Sequence, residues 1–541
     1  MIESKSLATL EYSKILSQVA HYAYSAAAQV CIENIKPSVS LDEVNELLGQ
    51  TLEADKLLFE HCILPSLAVD DIEDILKSAE KLSTLSIEEI LKIGRVLKVA
   101  RATKGLIVNV NDDSIKLLKG LCYNLYFNVQ LENSIEESFV SDTEVSDNAS
   151  SNLKKIRNDI KSCNARIKQK LSQYISSSDY SNLLQDNLIT MRNNRYVVPL
   201  KSECKGQIAG LVHDRSATGS TLFVEPLIVV ELNNELRQLQ MDEQKEIQMI
   251  LVKFTTDIQR EIVGIAQSFN IIIQLDCIFA KANYSKAIKG ILPLVNDKGL
   301  VDIIDGRHPL IDSKKVVPVS INLGKTFNTL VITGPNTGGK TVTLKLVGAL
   351  CLMAMSGIFI PTNADSQVAV FDSIFCDIGD EQSIEQNLST FSSHLKNLVH
   401  ITDNLTSNSL VLLDELGAGT DPIEGSALAI AVIDYFRGFN AKVLTTSHYN
   451  ELKEYSYVTQ GVCNASMDFN PKTYEPTYKL HIGLSGSSNA LEIASSLGLK
   501  TAIIDNAKSK LSSEKLSFDK IIASAENSRR EAEELKRQAE I

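Results

Sequence analysis

The sequence predicts an α/β domain joined to a mostly helical region that carries a small β-rich element. Three observations support this fold class. A short apolar run that ends at Ile332 leads into a glycine-rich turn and then into a helical pattern. A second buried run ends in Asp414-Glu415, as parallel strands of α/β domains often do. Residues 187–226 alternate like strands between two long helical stretches.

Composition and charge limit the class of protein. The length of 541 residues predicts roughly three to four domains. With a formal net charge of -13, any contact with nucleic acid must come from a local basic surface. The nine cysteines form no C-x-x-C pair, which argues against a disulfide framework or a zinc site. The N-terminus shows no signal peptide, and the longest apolar run, 346–360, is too short to span a bilayer, so we expect a cytoplasmic protein without a membrane partner.

Residues 1–150 are the first predicted region, a helical core and lever. Apolar side chains recur there at helical spacing up to about residue 130. Two capping boxes mark helix starts: Ser40 with Glu43, and Ser86 with Glu89. The polar stretch 138–151 predicts a loop or hinge that closes this region.

Residues 151–290 are the second predicted region, which opens with a long helical arm. Its apolar positions follow a 3-4 spacing: Leu153, Ile156, Ile160, Cys163, Ile167 and Leu171. Its other faces hold the most basic run of the chain, interrupted only by Asp159: Lys154, Lys155, Arg157, Lys161, Arg166, Lys168 and Lys170. Two interpretations stay open here, contact with phosphates or a face that is merely solvated.

The β-rich element follows the arm. Two strand-like runs flank Asn193-Asn194, a dipeptide typical of tight hairpin turns. From about Leu227 to Ile288 the chain is helical again. An arm of about 25 residues would extend roughly 35–40 Å, enough to hold this element clear of the α/β domain.

The glycine-rich turn opens the third region, 291–510, and is the most specific motif of the chain. Its residues match G-x-x-x-x-G-K-[ST]: Gly334, Pro335, Asn336, Thr337, Gly338, Gly339, Lys340 and Thr341. Glycines let successive N–H groups point at phosphate oxygens, and the next helix adds the positive end of its dipole. Lys340 would neutralise the β- and γ-phosphates, and the Thr341 hydroxyl would bind Mg²⁺. The motif therefore predicts ATP and Mg²⁺ as cofactors.

Two later strands carry groups that a P-loop ATPase requires. The run 409–413 ends in Asp414, which would hold Mg²⁺ through water, and Glu415, which would orient or deprotonate the attacking water. The run 442–447 ends at His448, which could hydrogen-bond the γ-phosphate and report its loss. These residues, with Lys340 and Thr341, are the predicted catalytic and metal-binding groups of one nucleotide site.

Ser389 precedes a predicted helix and is well placed as its N-cap. A helix N-terminus with a hydroxyl group is an anion site. Since the chain already has a complete P-loop, this second site could serve the γ-phosphate of a partner subunit. A simple cap is the alternative, and the residues alone do not decide between the two.

Several motifs together resemble one family. They are DIGDEQSIEQNLSTFSSH from residue 377, LLDELGAGTDP from 412 and TTSHY from 445. Further support comes from TLEYSKIL, RNNRYVVPLK, VHDRSATGSTLFVEP, ELNNELR and DGRHPLI. The whole chain resembles the MutS superfamily of ABC-type ATPases, and within it the bacterial MutS-II family more than the mismatch-repair branch.

The resemblance implies a homodimer with a core and lever, a reduced clamp and an ABC-type ATPase domain. Ser389 would then act in trans on the nucleotide of its partner, while Lys340, Thr341, Asp414, Glu415 and His448 keep the roles given above. The last segment, 511–541, would be the start of a C-terminal helix. The family continues into a nuclease domain of the Smr type, so we expect that this sequence is truncated and that nuclease activity does not belong to these residues.

Two kinds of function follow from the resemblance, and two others are disfavoured. The resemblance implies a clamp that binds branched DNA and suppresses homologous recombination, or a sensor that splits stalled, collided ribosomes by contacting rRNA. Mismatch recognition is disfavoured. The mismatch-repair branch carries a Phe-x-Glu wedge on an N-terminal domain, whereas the only matching triplet here, Phe223-Val224-Glu225, lies in the β-rich element. A structural ATPase of the SMC type is disfavoured because Lys340 and Asp414 are only 74 positions apart, without sustained heptads.

Overall fold

The computed structural model describes residues 2–334, 338–379, 390–469, 476–483, 494 and 498–509. Packing divides the chain into two compact units, and each unit is discontinuous in sequence. The first unit comprises Met1–Pro65, Asn109–Leu121 and Ile273–Ile541, and the second comprises Ser66–Val108 and Cys122–Ile272. The functional division of the sequence at residues 150, 290 and 510 stays a prediction.

The described helices and strands follow in chain order. The helices are α1 Ser4–Thr9, α2 Tyr12–Ala20, α3 Ala26–Glu33, α4 Leu41–Phe59, α5 Glu73–Glu80, α6 Ile87–Val108, α7 Leu117–Tyr123, α8 Val129–Ser138, α9 Ser151–Ser176, α10 Ser178–Ser181, α11 Leu227–Arg260, α12 Ile262–Ala287, α13 Lys340–Ala354, α14 Thr390–Asn404, α15 Pro422–Gly438, α16 Asn450–Val458 and α17 Thr501–Ser509. The strands are β1 Phe139–Ser141, β2 Glu144–Val145, β3 Thr190–Arg192, β4 Arg195–Lys201, β5 Gly210–Arg215, β6 Thr221–Pro226, β7 Leu294–Asn296, β8 Val301–Gly306, β9 Val319–Leu323, β10 Thr329–Thr333, β11 Gln367–Ala369, β12 Ser373–Asp377, β13 Ser409–Leu413, β14 Lys442–Ser447, β15 Val462–Phe469 and β16 Pro476–Ile482.

The first unit is built on a six-stranded sheet with the order β12-β13-β14-β10-β15-β16. The first five strands are parallel, and β16 pairs antiparallel with β15. Strands β10 and β13 are buried along their whole length, which explains their continuous apolar sequences. Because the strands are parallel, the carboxyl ends of β10, β12, β13 and β14 meet at one edge. The mixed α/β class predicted from the sequence is confirmed.

Helix α13 leaves this edge and is buried on most of its surface. The chain turns directly after it at Gly357, where φ is +73° and an added Cβ would lie 2.7 Å from the Cβ of Leu47. At the same turn the Tyr12 and Ser356 hydroxyls are 2.5 Å apart, and Lys281 donates to the Ser356 carbonyl at 2.8 Å. Two helices of the first unit therefore hold the end of α13. A second sheet of this unit has the order β7-β11-β8-β9.

The second unit contains the predicted helical arm. Helix α9 pairs with α11, and the cross-links Ser150–Glu246, Arg157–Glu243 and Arg166–Glu235 show that the two helices are antiparallel. Four seam positions of α9 are fully buried, as their spacing predicted: Leu153, Cys163, Ile167 and Leu171. Helix α10 and the small antiparallel sheet β3-β4-β6-β5 complete the arm. The described elements follow the order of a long helix, a small sheet and a return helix, while the assignment of residues 151–290 as one region stays a prediction.

The predicted hairpin turn between β3 and β4 is present. Asn193 and Asn194 have φ values of +50° and +58°, the left-handed conformation that this turn requires of both residues. The turn before β6 likewise contains Gly219 at φ +70°. Turn chemistry was therefore sufficient to place the strands of this sheet.

A buried glutamate fastens the sheet to the return helix. Glu225 on β6 is completely buried, and its carboxylate accepts hydrogen bonds from Arg195 at 2.8 Å and Asn233 at 2.8 Å. Its second oxygen lies 2.5 Å from a ring nitrogen of His213. Glu225 thus belongs to the packing of this element, in agreement with the interpretation that Phe223-Val224-Glu225 is not a mismatch wedge.

Basic residues of the arm fall into two groups. Arg157 pairs with Asp147 and Glu243, and Arg166 pairs with Glu235. Lys155 and Lys168 are exposed and form no ion pair within the described part of the chain. The most basic stretch is therefore neutralised in part, which reduces the surface that could contact phosphates.

Two local predictions need correction. The stretch 138–151 is not only a loop, because β1 and β2 form a short hairpin within it. Ser40 precedes α4 but makes no side-chain cap. The Ser38 hydroxyl accepts the Ser40 N–H at 3.2 Å and donates to Glu43 at 2.5 Å, so it occupies the two groups that the predicted capping box would have paired with each other. The box at Ser86 and Glu89 forms as predicted, with contacts of 2.8 and 3.3 Å.

Helix α12 is long and apolar enough to cross a bilayer by length and composition alone. However, 56% of its most apolar window is buried inside the protein, and buried core helices of soluble proteins pass the same test. This is weak evidence for a membrane span. It does not change the expectation drawn from the sequence.

Candidate nucleotide site

The glycine-rich turn lies where the sequence predicted it, between the buried strand β10 and helix α13. Gly334 has φ +130° and Gly339 has φ +94°, conformations that favour glycine. An added Cβ at Gly339 would also lie 3.0 Å from the Tyr478 ring. Gly338 approaches Met467 in the same way, at 3.1 Å. Pro335, Asn336 and Thr337 of the predicted loop lie outside the described residues.

Lys340 is the first residue of α13, and its side chain is buried. Its ammonium donates to the Gly334 carbonyl at 2.8 Å and lies 2.9 Å from Nε2 of His448. Burial lowers the pKa of Lys340 to about 8, although the charges of Glu415 and Asp414 act in the opposite direction. Phosphates at this position would add negative charge and favour the ammonium form.

Asp414 follows the end of β13, and two hydroxyl groups hold its carboxylate. Thr341 on α13 donates to one oxygen at 2.6 Å, and Thr446 on β14 donates to the other at 2.5 Å. Strand β14 lies between β10 and β13, which brings Thr446 into reach. The structure therefore brings together both predicted metal-binding residues, Thr341 and Asp414. Thr446 was not singled out from the sequence, although it stands in the TTSHY motif.

Glu415 turns away from the strand in a left-handed conformation with φ +50°. Its N–H donates to the Thr446 hydroxyl at 2.8 Å, so this threonine positions both acidic residues. The Glu415 carboxylate lies 3.7 Å from Nε2 of His448, and both side chains are partly exposed. Burial and the nearby Lys340 charge lower the pKa of His448, which favours a neutral ring that can accept a hydrogen bond.

A further polar group at this edge was missed by the sequence reading. Asp377, at the end of β12, lies 2.8 Å from Nδ1 of His394 and accepts a hydrogen bond from Asn397 at 2.9 Å. Its carbonyl accepts the N–H of Asp414 at 2.8 Å. Asp377 therefore ties the first turns of α14 to the strand that carries the acidic pair. The signal was available, because an aspartate at the end of a parallel strand next to β13 must lie near Asp414.

Ser389, the predicted N-cap and trans-acting residue, lies outside the described residues. Helix α14 begins at Thr390, directly after it. The turn that follows the acidic pair leads into α15, where Asp421 caps the helix by accepting the N–H groups of Ile423 and Glu424. The Gly417 carbonyl in this turn accepts the Tyr449 hydroxyl at 2.7 Å.

An apolar cavity of about 360 Å³ adjoins the start of α13. It is lined by His308, Ile311, Lys315, Val316, Val317, Val319, Gly339, Val342, Thr343, Leu346, Met467 and Tyr478. Burial lowers the pKa of His308 to about 4, so the ring is neutral at pH 7. Its Nδ1 accepts the N–H of Leu310 at 3.3 Å, which leaves Nε2 as the protonated nitrogen. A flat, apolar ring with polar edges would suit this cavity.

The residues present fit a magnesium nucleotide. Two oxygen ligands of the kind that Mg²⁺ prefers, from Thr341 and Asp414, lie 2.6 Å apart. A buried lysine, a helix N-terminus and two glycines with positive φ stand beside them. No group of three or more His, Cys, Asp or Glu side chains suited to a metal ion occurs among the described residues. The residues predicted to bind phosphate and magnesium converge on one edge of the sheet.

Comparisons with known proteins agree with this site. The family model for MutS domain V matches residues 330–515. Endonuclease MutS2 of Clostridium botulinum strain Okra is 46% identical over 540 residues, which cover 100% of this chain and 68% of the relative. The MutS2 proteins of Clostridium acetobutylicum and Alkaliphilus metalliredigens are each 45% identical, covering 69% and 68% of those relatives. This chain therefore belongs to the MutS2 family, the MutS-II branch that the motifs predicted.

Proposed function

We propose that this chain is the ATP-hydrolysing part of a dimeric clamp that acts on large nucleic-acid assemblies. The observation that carries the proposal is the convergence of Lys340, Thr341, Asp414, Glu415 and His448 at the carboxyl edge of one parallel sheet. These five side chains come from three separate segments of the chain: the start of α13 and the residues that follow β13 and β14. Packing alone does not require a buried lysine and two carboxylates at one point.

Each group has a defined role in phosphoryl transfer to water. Bound Mg²⁺ supplies charge neutralisation for the phosphates. Thr341 and Asp414 hold the metal, and Lys340 binds the β- and γ-phosphates. Glu415 orients or deprotonates the attacking water, for which its partly exposed carboxylate leaves room. His448 donates a hydrogen bond to the γ-phosphate and so reports its release.

The cavity beside Gly339 takes the adenine base in this proposal. Its walls are apolar, and its edge is the neutral ring of His308. Met467 and Tyr478 stand close to the backbone of Gly338 and Gly339, between the cavity and the phosphate-binding turn. The base and the phosphates would therefore lie on opposite sides of the same turn.

The catalytic proposal is tested by two substitutions. Glu415→Gln should keep ATP binding but reduce turnover by at least about 100-fold, since it removes the general base. Lys340→Ala should weaken binding and abolish turnover. Glu454→Gln, an exposed glutamate on α16, is the matched control and should leave both unchanged. Normal turnover by the Glu415→Gln variant would contradict the assignment.

We further propose that two copies sandwich the nucleotide and that Ser389 contacts the γ-phosphate of the partner. Mixing a Ser389→Ala variant with a Lys340→Ala variant should then restore about one working site per mixed dimer. Light scattering with a non-hydrolysable ATP analogue should show a dimer that the Glu415→Gln variant retains after ATP addition. Mixtures without any regained turnover would argue against shared sites.

The target of the clamp is either branched DNA, with suppression of homologous recombination, or a stalled, collided ribosome contacted through rRNA. Co-sedimentation with ribosomes, compared with retention of four-way DNA in the presence of ATP and of ADP, separates these alternatives. The relatives carry the name endonuclease, and we assign that activity to the part of their sequences that this chain does not align with. The cytoplasm is the compartment that suits either target.

A further inference from the structure

Two cysteines of the first unit face each other where α3 meets α12. Asp276 on α12 accepts the N–H groups of Tyr24 and Ser25 at 3.0 and 2.9 Å, and also the Ser25 hydroxyl at 2.8 Å. Ser25 is the N-cap of α3. The next residue of α12, Cys277, donates its thiol to the Ala28 carbonyl at 3.6 Å. Two consecutive side chains of α12 therefore anchor the first turn of α3.

Cys31 lies one turn further along α3. Helical side chains lean toward the turn that precedes them, so the Cys31 side chain leans toward the carbonyl of Ala28, where the Cys277 sulfur lies. The two thiols are thus neighbours at the contact between α3 and α12, and Cys277 is the largest influence on the ionisation of Cys31. Cys31 is exposed, whereas Cys277 is buried. One thiol of the pair is thus accessible to reagents and the other is shielded behind it.

The charges around the pair favour a thiolate at Cys31. The neighbouring Cys277 thiol lowers the pKa of Cys31 to about 6, with a further contribution from the charge of Lys281, one turn after Cys277. The same contact and burial raise the pKa of Cys277 far above its usual range, with Asp276 adding in that direction. The proton of the pair therefore stays on the shielded sulfur.

We propose that Cys31 and Cys277 form an oxidant-reactive pair, in which Cys31 attacks low-molecular-weight disulfides and Cys277 resolves the product into a bridge between α3 and α12. In the first step the Cys31 thiolate bonds to one sulfur of the reagent, the reagent disulfide breaks, and one thiolate leaves and takes a proton from water. In the second step Cys277 gives its proton to solvent and attacks the Cys31 sulfur, which expels the second thiolate. Two protein thiols are oxidised and one disulfide is reduced to two thiols.

The rate advantage of Cys31 depends on pH in a way that the experiment can use. A thiolate of low pKa is more abundant but intrinsically less nucleophilic. Against an ordinary thiol with a pKa of about 8.5, a pKa of about 6 gives roughly a twofold advantage at pH 7 and about tenfold at pH 6. The comparison is therefore sharpest at pH 6.

The experiment treats the reduced full chain with one equivalent of oxidised glutathione at pH 6 and analyses non-reduced peptides by mass spectrometry. The result expected is a Cys31–Cys277 cross-linked peptide that a phosphine reductant removes. Cys62, exposed in the same unit, should react about tenfold more slowly and is the matched control. Cys277→Ser should retain glutathione on Cys31, and Cys31→Ser, at the exposed position, should lose both products.

Three outcomes would overturn the proposal. The first is equal labelling of Cys31 and Cys62 at pH 6. The second is an unresolved glutathione adduct on Cys31 in the unsubstituted chain. The third is a cross-link that persists in the Cys31→Ser variant. A Cys277→Ser variant that does not fold would leave the Cys31→Ser and unsubstituted chains to decide. Nucleotide binding is measured in parallel as a control and should be the same before and after these products form.

Discussion

Two carboxylates, one in each compact unit, show how a structural acid differs from one in the nucleotide site: Glu225 is buried, and Asp414 is partly buried. Glu225 in the small sheet has cationic and amide partners, with Arg195, His213 and Asn233 all at hydrogen-bond distance. Asp414 in the nucleotide site accepts its two side-chain hydrogen bonds from neutral hydroxyls, Thr341 and Thr446. The Glu225 carboxylate is paired directly with the Arg195 guanidinium, whereas the Asp414 carboxylate makes its direct side-chain contacts with hydroxyls and has Lys340 only as a nearby charge.

The difference indicates that the partners of a carboxylate distinguish a structural role from metal binding. A buried ion pair is costly to break because one charge is left without a partner. A carboxylate held only by hydroxyls is oriented but not neutralised, which is the arrangement a metal ligand requires. Removing the charge should therefore affect stability at Glu225 and activity at Asp414.

The largest expected effect is on the rate. Asp414→Asn keeps the shape of the side chain but removes the charge that would hold Mg²⁺, so ATP turnover should fall by about 1,000-fold, since metal charge stabilisation is worth several kcal/mol. Its thermal unfolding, followed by circular dichroism, should stay close to that of the unsubstituted chain. A large loss of stability with retained turnover would contradict the metal-binding role of Asp414 and its contrast with Glu225.

Glu225→Gln should have the converse effect. Loss of the carboxylate leaves Arg195 without its buried partner, and the second unit should lose about 3–5 kcal/mol of stability. Glu235→Gln, which breaks the exposed pair with Arg166, is the control and should cost no more than about 1 kcal/mol. Urea unfolding and limited proteolysis of the arm would measure both variants, with ATP binding expected to persist.

His308 extends the comparison to a buried group without a charge. Its pKa is lowered to about 4 in the folded chain, so the unfolded chain binds a proton first as the pH falls. Stability contributed by the neutral ring is complete above about pH 6.5 and is lost progressively between pH 6.5 and 4. Lowering the pH from 7.5 to 5 should therefore reduce the free energy of unfolding by about 2 kcal/mol through this group.

Denaturant unfolding at both pH values should show a smaller pH dependence for His308→Asn than for the unsubstituted chain. The quantity to compare is the change in the free energy of unfolding between the two pH values. The absolute stability of the variant is not informative, since the substitution also changes packing. Equal pH dependence of the two proteins would mean that folding does not lower the pKa of His308.

The smallest effect concerns the arm, where neutralised and free charges can be compared directly. Lys155→Gln with Lys168→Gln should lower the slope of log affinity against log salt by about 2 for nucleic acid, close to 0.9 per lost phosphate contact. Arg166→Gln, whose charge is already paired with Glu235, should leave the slope unchanged. An unaltered slope in the lysine variant would mean that this face of the arm is merely solvated.

Local chemistry made part of this structure predictable. The octet from Gly334 to Thr341, the acidic pair after β13 and the Asn193-Asn194 turn each depend on neighbouring residues, and each was placed correctly wherever it is described. The Ser40 capping box failed for a local reason, because Ser38, two residues earlier, competes for the same groups. The sequence alone does not show which of the two serine hydroxyls makes these contacts.

Long-range contacts were the part that the sequence could not provide. Thr446 reaches Asp414 only because β14 lies between β10 and β13 in the sheet. No single sequence motif specifies this strand order. The partners of Glu225 come from three separate segments, and the two compact units cross the boundaries drawn from composition. Pairings over such distances depend on the whole packing arrangement.

Helix α13 has a consequence for how the site communicates with the rest of its unit. It is a rod of 15 residues, about 22 Å long, that starts at Lys340 and is followed at once by Ser356. Tyr12 on α2 and Lys281 on α12 both hydrogen-bond Ser356, so any displacement of α13 along its axis would disturb contacts with both helices. Through Tyr12, the N-terminal part of the chain is linked to the end of a helix that lies more than 300 residues later and begins at the glycine-rich turn.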